Sequence, residues 1–457
     1  MNKTGVKFND NKGLSKIALI IILPIIILVS AFGTYKLFLV PDPIINGLEA
    51  FNFLPINKTI TLNVENAKSI DIFAYQGGEK LELLNDKPSL SATIYNLEVK
   101  PEDLGLKDGE VIIIATLRSG LIKKVKHEIR STVDTVAPVL EVLKSPSIIV
   151  EGSSGVALLR AKGADSVFIR LKDHKFKAFD KSLTRDTKFV SNPETAGDKS
   201  MPGEQATKEY YVFFPAPFGI EESNIFYAVA QDNAGNQNIK TLSTKLKTKE
   251  YSTSSINIDR SFIDKVVTPL LNEVNISDPE NAFRRVNEEW RAKNQSTLID
   301  IASKSDNKIL WNRRFLQMKN SKVMARYGDK RTYFYEGQEI SKSVHLGYDL
   351  ASFSKAPVEA ANTGIVKFAG DLGIYGNTVI IDHGLGLMSL YGHLSMINVT
   401  EGQTIIQGKI IGKSGSTGLA GGDHLHLSIL VHGHEVSPLY WWDSKWVKIN
   451  VVDYLTY

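Results

Sequence analysis

Between residues 41 and 134, apolar and polar positions alternate in short runs such as KTITLNV, SIDIFAY and EVIIIATL, separated by Gly, Asn, Asp and Pro. A period of two turns one side of each run toward a core, and such closely spaced turn residues predict a small all-β sandwich. A second unit of the same kind is expected at 137–248, from SIIVEG, GVALLRA, SVFIRL, KEYYVFF and NIFYAVA. Within it, the polar tract 187–211 contains Pro and Gly and is expected to form a long loop. From 251 to 335 the period changes. SFIDKVVTPLLNEV and DPENAFRRVNEEWRAK carry apolar residues at helical spacing, and Asp278 followed by Pro279 and Glu280 is a helix start. This stretch is expected to be a helical connector that packs against, or shields, the final domain. From 336 to 457 the chain returns to glycine-rich runs, TGIVKFAG, GNTVIIDHG, GLMSLYGHLS and DHLHLSILV, with no helical stretch. They predict an antiparallel β domain, and the fold class is mostly β.

The N-terminus departs from this picture. No charge occurs from Ile17 until Lys36, and 19 apolar-rich residues in a helix rise about 28 Å, close to the hydrocarbon thickness of a bilayer. Residues 17–36 are therefore expected to be a transmembrane anchor, with Pro24 tolerated inside it. Lys3, Lys7, Lys12 and Lys16 against a single Asp10 keep residues 1–16 cytoplasmic by the positive-inside rule. A cleaved signal peptide, with a weak site at VSA (29–31), is the alternative. Under either reading, everything beyond about residue 40 is exported.

Length and composition narrow the function. A chain of 457 residues holds about three domains. With 43% hydrophobic and 23% charged residues, most of it is expected to fold. The net charge of +4 is small and dispersed, which argues against a nucleic-acid partner. The chain has no cysteine, so disulfides, thiolate catalysis and Cys-based zinc fingers are excluded.

The histidines carry the chemistry. Only His127 and His174 lie outside the last domain; His345, His383, His393, His424, His426, His432 and His434 fall within it. HLGYD supplies His345 and Asp349 at i and i+4. In GDHLHLSIL, His424 and His426 share one strand face, with Leu425, Leu427, Ile429 and Val431 on the other. Catalytic zinc commonly takes three protein ligands and leaves the fourth position to water. His345, Asp349 and one histidine of the strand pair make up that number, leaving the other free to move protons. His393, in LYGHLS, is expected to share a strand face with Ser389 and Tyr391, where a core histidine is the competing reading. His383, before Gly384, is read as structural. His432 and His434, in the turn HGHE, are read as solvent-exposed or locally hydrogen-bonded.

HLGYDLA, GNTVIIDHGLGLMSLYGHLS, GKSGSTGLAGGDHLHLSI and VSPLYWW, spanning about 336–446, resemble the M23 (lysostaphin-like, LytM-type) zinc metallopeptidases in order and spacing. The resemblance implies a curved antiparallel sheet with one zinc ion per chain in a groove. It implies His345, Asp349 and His426 as metal ligands, and His393 and His424 as catalytic histidines. It also implies hydrolysis of amide bonds in peptidoglycan stem peptides or cross-bridges. VDTVAPVL (133–140) and AQDNAGNQ (230–237) resemble the phrases that bracket bacterial immunoglobulin-like modules. Together these features describe an inner-membrane, single-pass metalloendopeptidase facing the cell wall. Its two immunoglobulin-like sandwiches serve as spacers or as contacts to envelope proteins. The alternative is a non-catalytic anchored scaffold, or an activator of other cell-wall hydrolases.

Overall fold

The computed structural model describes residues 24–30, 40–120, 123–184, 206–312 and 314–456. The N-terminal residues 1–16, most of the anchor expected at 17–36 and most of the loop expected at 187–211 lie outside the described residues. The described part of the anchor, 24–30, is helical. Among the described residues, no helix is long and apolar enough to cross a membrane. The chain divides into two units, residues 1–137 with 233–236 and residues 138–232 with 237–457.

The first unit has two sheets over one core. One sheet runs Phe53–Leu54, Lys123–Val133, Gly109–Ser119, Ser69–Gln76 and Glu79–Asp86; the other runs Ile44–Asn46, Lys58–Glu65 and Ala92–Val99. The alternating apolar positions face each other: Ile60, Leu62 and Val64 from one sheet meet Ile70, Ile72, Val111 and Ile113 from the other. Removing each such side chain from water stabilises the fold by about 1.5–3 kcal/mol.

The second unit begins with two four-stranded sheets. One contains Val139–Lys144, Ser154–Lys162, Phe179–Asp180 and Lys208–Pro215; the other contains Ser166–Leu171, His174–Lys177, Tyr227–Gln231 and Gln237–Thr241. Here the runs GVALLRA and YYVFF are almost continuously apolar, and the structure gives the reason. Ala157, Leu159, Val212 and Phe214 fill the core between the two sheets. Val156, Leu158, Tyr211 and Phe213 point the other way, into a core shared with Trp311, Phe315, Trp441 and Leu427. Strands buried on both faces lose the alternation of half-exposed ones.

The region 251–335, expected to be helical, is helical only in its middle. Helices cover 260–271 and 279–303, and Asp278 caps the second, its carboxylate accepting the Asn281 N–H at 3.0 Å. Strands flank them. Thr253–Ile258 pairs in parallel with Asp329–Tyr335, which pairs antiparallel with Gln338–His345. The boundary expected at 336 falls in the turn of that hairpin.

The last part of the chain is built on an antiparallel sheet in the order Lys322–Ala325, Tyr348–Ala351, Leu425–Val431, Leu387–Gly392, Asn377–Gly384, Gly364–Asp371 and Thr404–Ile405, with His434–Val436 beside Leu425–Val431. One face carries Leu427, Ile429, Val431, Val379 and Ile381 into the shared core. The other carries Leu430, Ile380, Met388 and Leu390 against the helices. The expectation of no helix here is corrected at the C-terminus. Pro438–Trp442 and Ser444–Val447 are short helices; a proline opens the first, and the second starts where Asp443 accepts the Lys445 and Trp446 N–H groups.

Candidate metal centre

Backbone pairing brings three side chains together. His345 ends the strand Gln338–His345, and Leu346 and Gly347 turn the chain so that Asp349 lies on Tyr348–Ala351. That strand pairs with Leu425–Val431 in a register that sets Asp349 opposite His426. The turn passes very close to His426. A Cβ on Gly347 would lie 2.5 Å from the His426 ring and 2.6 Å from Ser428 Oγ. The substitution Gly347→Ala is therefore expected to displace His426 and weaken metal binding by about tenfold or more, read by competition with a chelator.

His345 Nε2 lies 2.9 Å from Asp349 Oδ1 and 3.0 Å from His426 Nδ1, and His426 Nδ1 lies 3.1 Å from Asp349 Oδ1. Neighbouring groups settle which ring nitrogens carry protons. His345 Nδ1–H donates to the Arg326 carbonyl at 3.0 Å. Ser428 Oγ–H donates to the Leu346 carbonyl at 2.9 Å, so this hydroxyl accepts from His426 Nε2 at 3.0 Å. Each imidazole thus turns a lone pair toward the carboxylate oxygen. Three acceptors facing one another at about 3 Å repel unless a cation lies among them, and two imidazoles with one carboxylate suit zinc. Burial pushes His426 down to about 4, so its ring is neutral near pH 7, as a metal ligand must be.

His393 and His424 line the same cavity, of about 400 Å³. Their ring centroids are 4.8 Å apart, and that of His393 is 5.8 Å from His426. His424 lies on the His426 face, with Nε2 3.5 Å from Asp349 Oδ1 and Nδ1–H donated to the Gly422 carbonyl at 2.8 Å. The expectation that His393 shares a face with Ser389 and Tyr391 is corrected. The strand ends at Gly392, and His393 has φ +61°, a left-handed conformation costing about 1–2 kcal/mol that turns its ring to the opposite side. Tyr391 faces the shared core instead, where its hydroxyl accepts the Ala361 N–H. The His393 N–H donates to the Tyr375 carbonyl at 2.7 Å and its Nδ1–H to the Thr417 carbonyl at 2.8 Å.

The remaining histidines stand apart from this cluster. His383 is buried, with Nδ1 2.8 Å from the Thr363 carbonyl and Nε2 2.8 Å from Ser389 Oγ, a structural pairing. His432 and His434 are neither exposed nor satisfied locally. They pack against the preceding β sheets, His434 edge-on to His174 at 4.6 Å and His432 beside Phe176 and Phe179. Among the described residues, the buried Nε2 of His432 has no hydrogen-bond partner. Burial pushes His432 down to about 3 and His434 down to about 4, with Lys177 and His174 adding to the effect at their respective rings. The unfolded rings take up protons near pH 6.5 while the folded ones resist, so stability falls as pH drops from about 6.5 toward 4. Each ring contributes at most about 1.4 kcal/mol per pH unit. In urea unfolding from pH 7 to 4, the double variant His432→Leu, His434→Leu is expected to show a shallower loss than the parent. An equal slope in both would contradict this.

Several residues without a local motif also build the site. Ser428 sits two residues beyond His426 on the same face, a periodicity that marks it in retrospect. Tyr375 lines the cavity with its ring centroid 5.5 Å from His426, and Asn294 Oδ1 holds its loop by accepting the Ile374 N–H at 3.0 Å. Arg331, Phe262 and Phe283 enter the cavity from strands and helices with no motif to announce them.

Residues 343–438 match the model of Peptidase family M23. The chain is 41% identical over 96 residues to the DD-carboxypeptidase/endopeptidase Mpg of Neisseria meningitidis serogroup B, covering 21% of this chain and 22% of that protein. It is 39% identical over 95 residues to the peptidoglycan DD-endopeptidase ShyA of Vibrio cholerae, again covering 21% and 22%. The alignments thus span about a fifth of those relatives' length. Among solved structures, the catalytic domain of lysostaphin from Staphylococcus simulans is similar at 30% identity and a TM-score of 0.22, covering 26% of this chain and 90% of that one. With its His-Asp-His cluster inside the matched stretch, this chain carries, at residues 343–438, a peptidase domain of family M23 that is similar to peptidoglycan endopeptidases.

Proposed function

We propose that the chain is a zinc metalloendopeptidase that hydrolyses amide bonds in peptidoglycan stem peptides or cross-bridges. One observation carries the proposal: two imidazole lone pairs and a carboxylate oxygen converge at about 3 Å in a cavity that two further histidines share. In this reading His345, Asp349 and His426 hold one zinc ion. The apolar stretch at 17–36 anchors the chain in the inner membrane, and the exported units 41–134 and 137–248, read as immunoglobulin-like, act as spacers or contact envelope proteins.

Zinc, when bound, supplies Lewis acidity toward an attacking water and the scissile carbonyl. The histidines handle the protons. Burial pushes His393 down to about 3, so the ring is neutral, and with Nδ1–H tied to Thr417 its Nε2 remains to accept a proton. Burial opposes charge on His424, but its hydrogen bond to Asp349 outweighs this and raises it. A charged His424 can donate to the developing oxyanion or to the departing amine. Ile256, Ile258, Phe262 and Phe283 give the cavity an apolar wall against which apolar parts of a substrate can pack.

The test is incubation of the full chain with isolated muropeptides, with and without a chelator. The expected result is zinc-dependent release of new amines. A fully zinc-loaded chain that releases none would contradict the proposal.

A further inference from the structure

Asp349 offers only one oxygen to the histidines. Oδ1 lies among the ring nitrogens, whereas Oδ2 lies 3.3 Å from Nη2 of Arg331. Arg331 stands on Asp329–Tyr335, the strand paired with the one that ends in His345, and its side chain is only 19% exposed. The guanidinium is braced from behind. Its Nε donates to Asp329 Oδ2 at 3.2 Å, and Asp329 in turn accepts Ser252 Oγ–H at 3.0 Å and Ser254 Oγ–H at 2.8 Å. Asp329 itself lies opposite His345 in the strand register. A guanidinium is a rigid planar fork, so bracing one nitrogen fixes where the others sit.

We infer that Arg331, braced by Asp329, is a positioning residue that keeps Asp349 a one-oxygen ligand of the metal. This rests on the metal-centre reading above. Both residues lie outside the family match at 343–438, on elements that the 251–335 region supplies. If Oδ2 were released, the carboxylate would be free to swing both oxygens toward the cation and crowd the position that water needs. Charge alone makes the opposite forecast. A guanidinium repels a dication, so if Coulomb repulsion dominated, removing it would tighten binding.

Zinc and cobalt titrations of the full chain in detergent separate these outcomes. The parent is expected to bind one equivalent. Arg331→Lys keeps the charge without the fork, and Arg331→Gln keeps neither; both are expected to weaken zinc binding by about 10- to 100-fold. Their cobalt forms are expected to absorb more weakly in the visible region, as the coordination number rises. Asp329→Asn, nearly isosteric and so safe for folding, is expected to shift both readouts in the same direction by less. If the parent binds zinc and the Arg331 variants bind it as tightly or more tightly, with the parental cobalt spectrum, the inference falls. If the parent binds no zinc, the metal-centre reading falls with it.

Discussion

Replacing His345 with alanine is expected to abolish stoichiometric zinc binding and hydrolysis together. His345 Nε2 is the atom nearest to both other donors, 2.9 Å from Asp349 Oδ1 and 3.0 Å from His426 Nδ1. Without it, two donors remain, too few for a closed three-ligand set. Losing several kcal/mol of Lewis-acid stabilisation corresponds to a fall in kcat/KM on the order of 10³-fold or more. The comparison that gives this result meaning is His383→Gln. His383 lies in the same domain and is fully buried, but it hydrogen-bonds Thr363 and Ser389 and stands apart from the cluster. Its replacement is expected to lower the melting temperature and leave one zinc bound. Metal analysis of both purified variants checks the contrast. If His345→Ala retained a full equivalent of zinc, the ligand set would be wrong.

The second large effect separates binding from chemistry. His393→Ala and His424→Ala are expected to keep one zinc per chain while losing about 10²–10⁴-fold in kcat. His393 is held by the Tyr375 and Thr417 carbonyls and His424 by the Gly422 carbonyl, so neither depends on the metal for its place. The two are not equivalent. His393 is buried and neutral, whereas Asp349 favours charge on His424, so the double variant is expected to lose more than either single one. The check is rate measurement alongside metal content in the same samples. A variant with unchanged kcat would remove that histidine from the mechanism.

Much of the site was legible because it is written in short-range patterns. An i, i+4 pair across a turn and an i, i+2 pair on a strand mark His345 with Asp349 and His424 with His426, whereas the register that joins the two pairs is set by long-range strand pairing. The Leu425–Val431 strand behaves as its alternation predicts, with Leu427, Ile429 and Val431 in the core behind the histidines. His393 defied alternation because one positive φ turns its ring over, a conformation that Gly392 beside it only hints at. Arg331 and Tyr375 reach the cavity through long-range pairing, which leaves no local mark. The flanking strands of the 251–335 region were hidden for a related reason. TSSINI is short and mostly polar, and it becomes a strand by pairing with residues about 75 positions later. Likewise, GVALLRA shows that a strand is apolar on both faces, but what covers its second face is decided elsewhere in the chain.

The central claim is that this cavity cuts a peptide bond with a metal held by His345, Asp349 and His426. Mass spectrometry of cross-linked muropeptides after digestion tests it most directly. Dimers are expected to gain the mass of one water and separate at a single amide, a chelator is expected to stop this, and added zinc is expected to restore it in the parent but not in His345→Ala. Dimers that stay intact with a zinc-loaded parent, or cleavage that persists in His345→Ala, would contradict it.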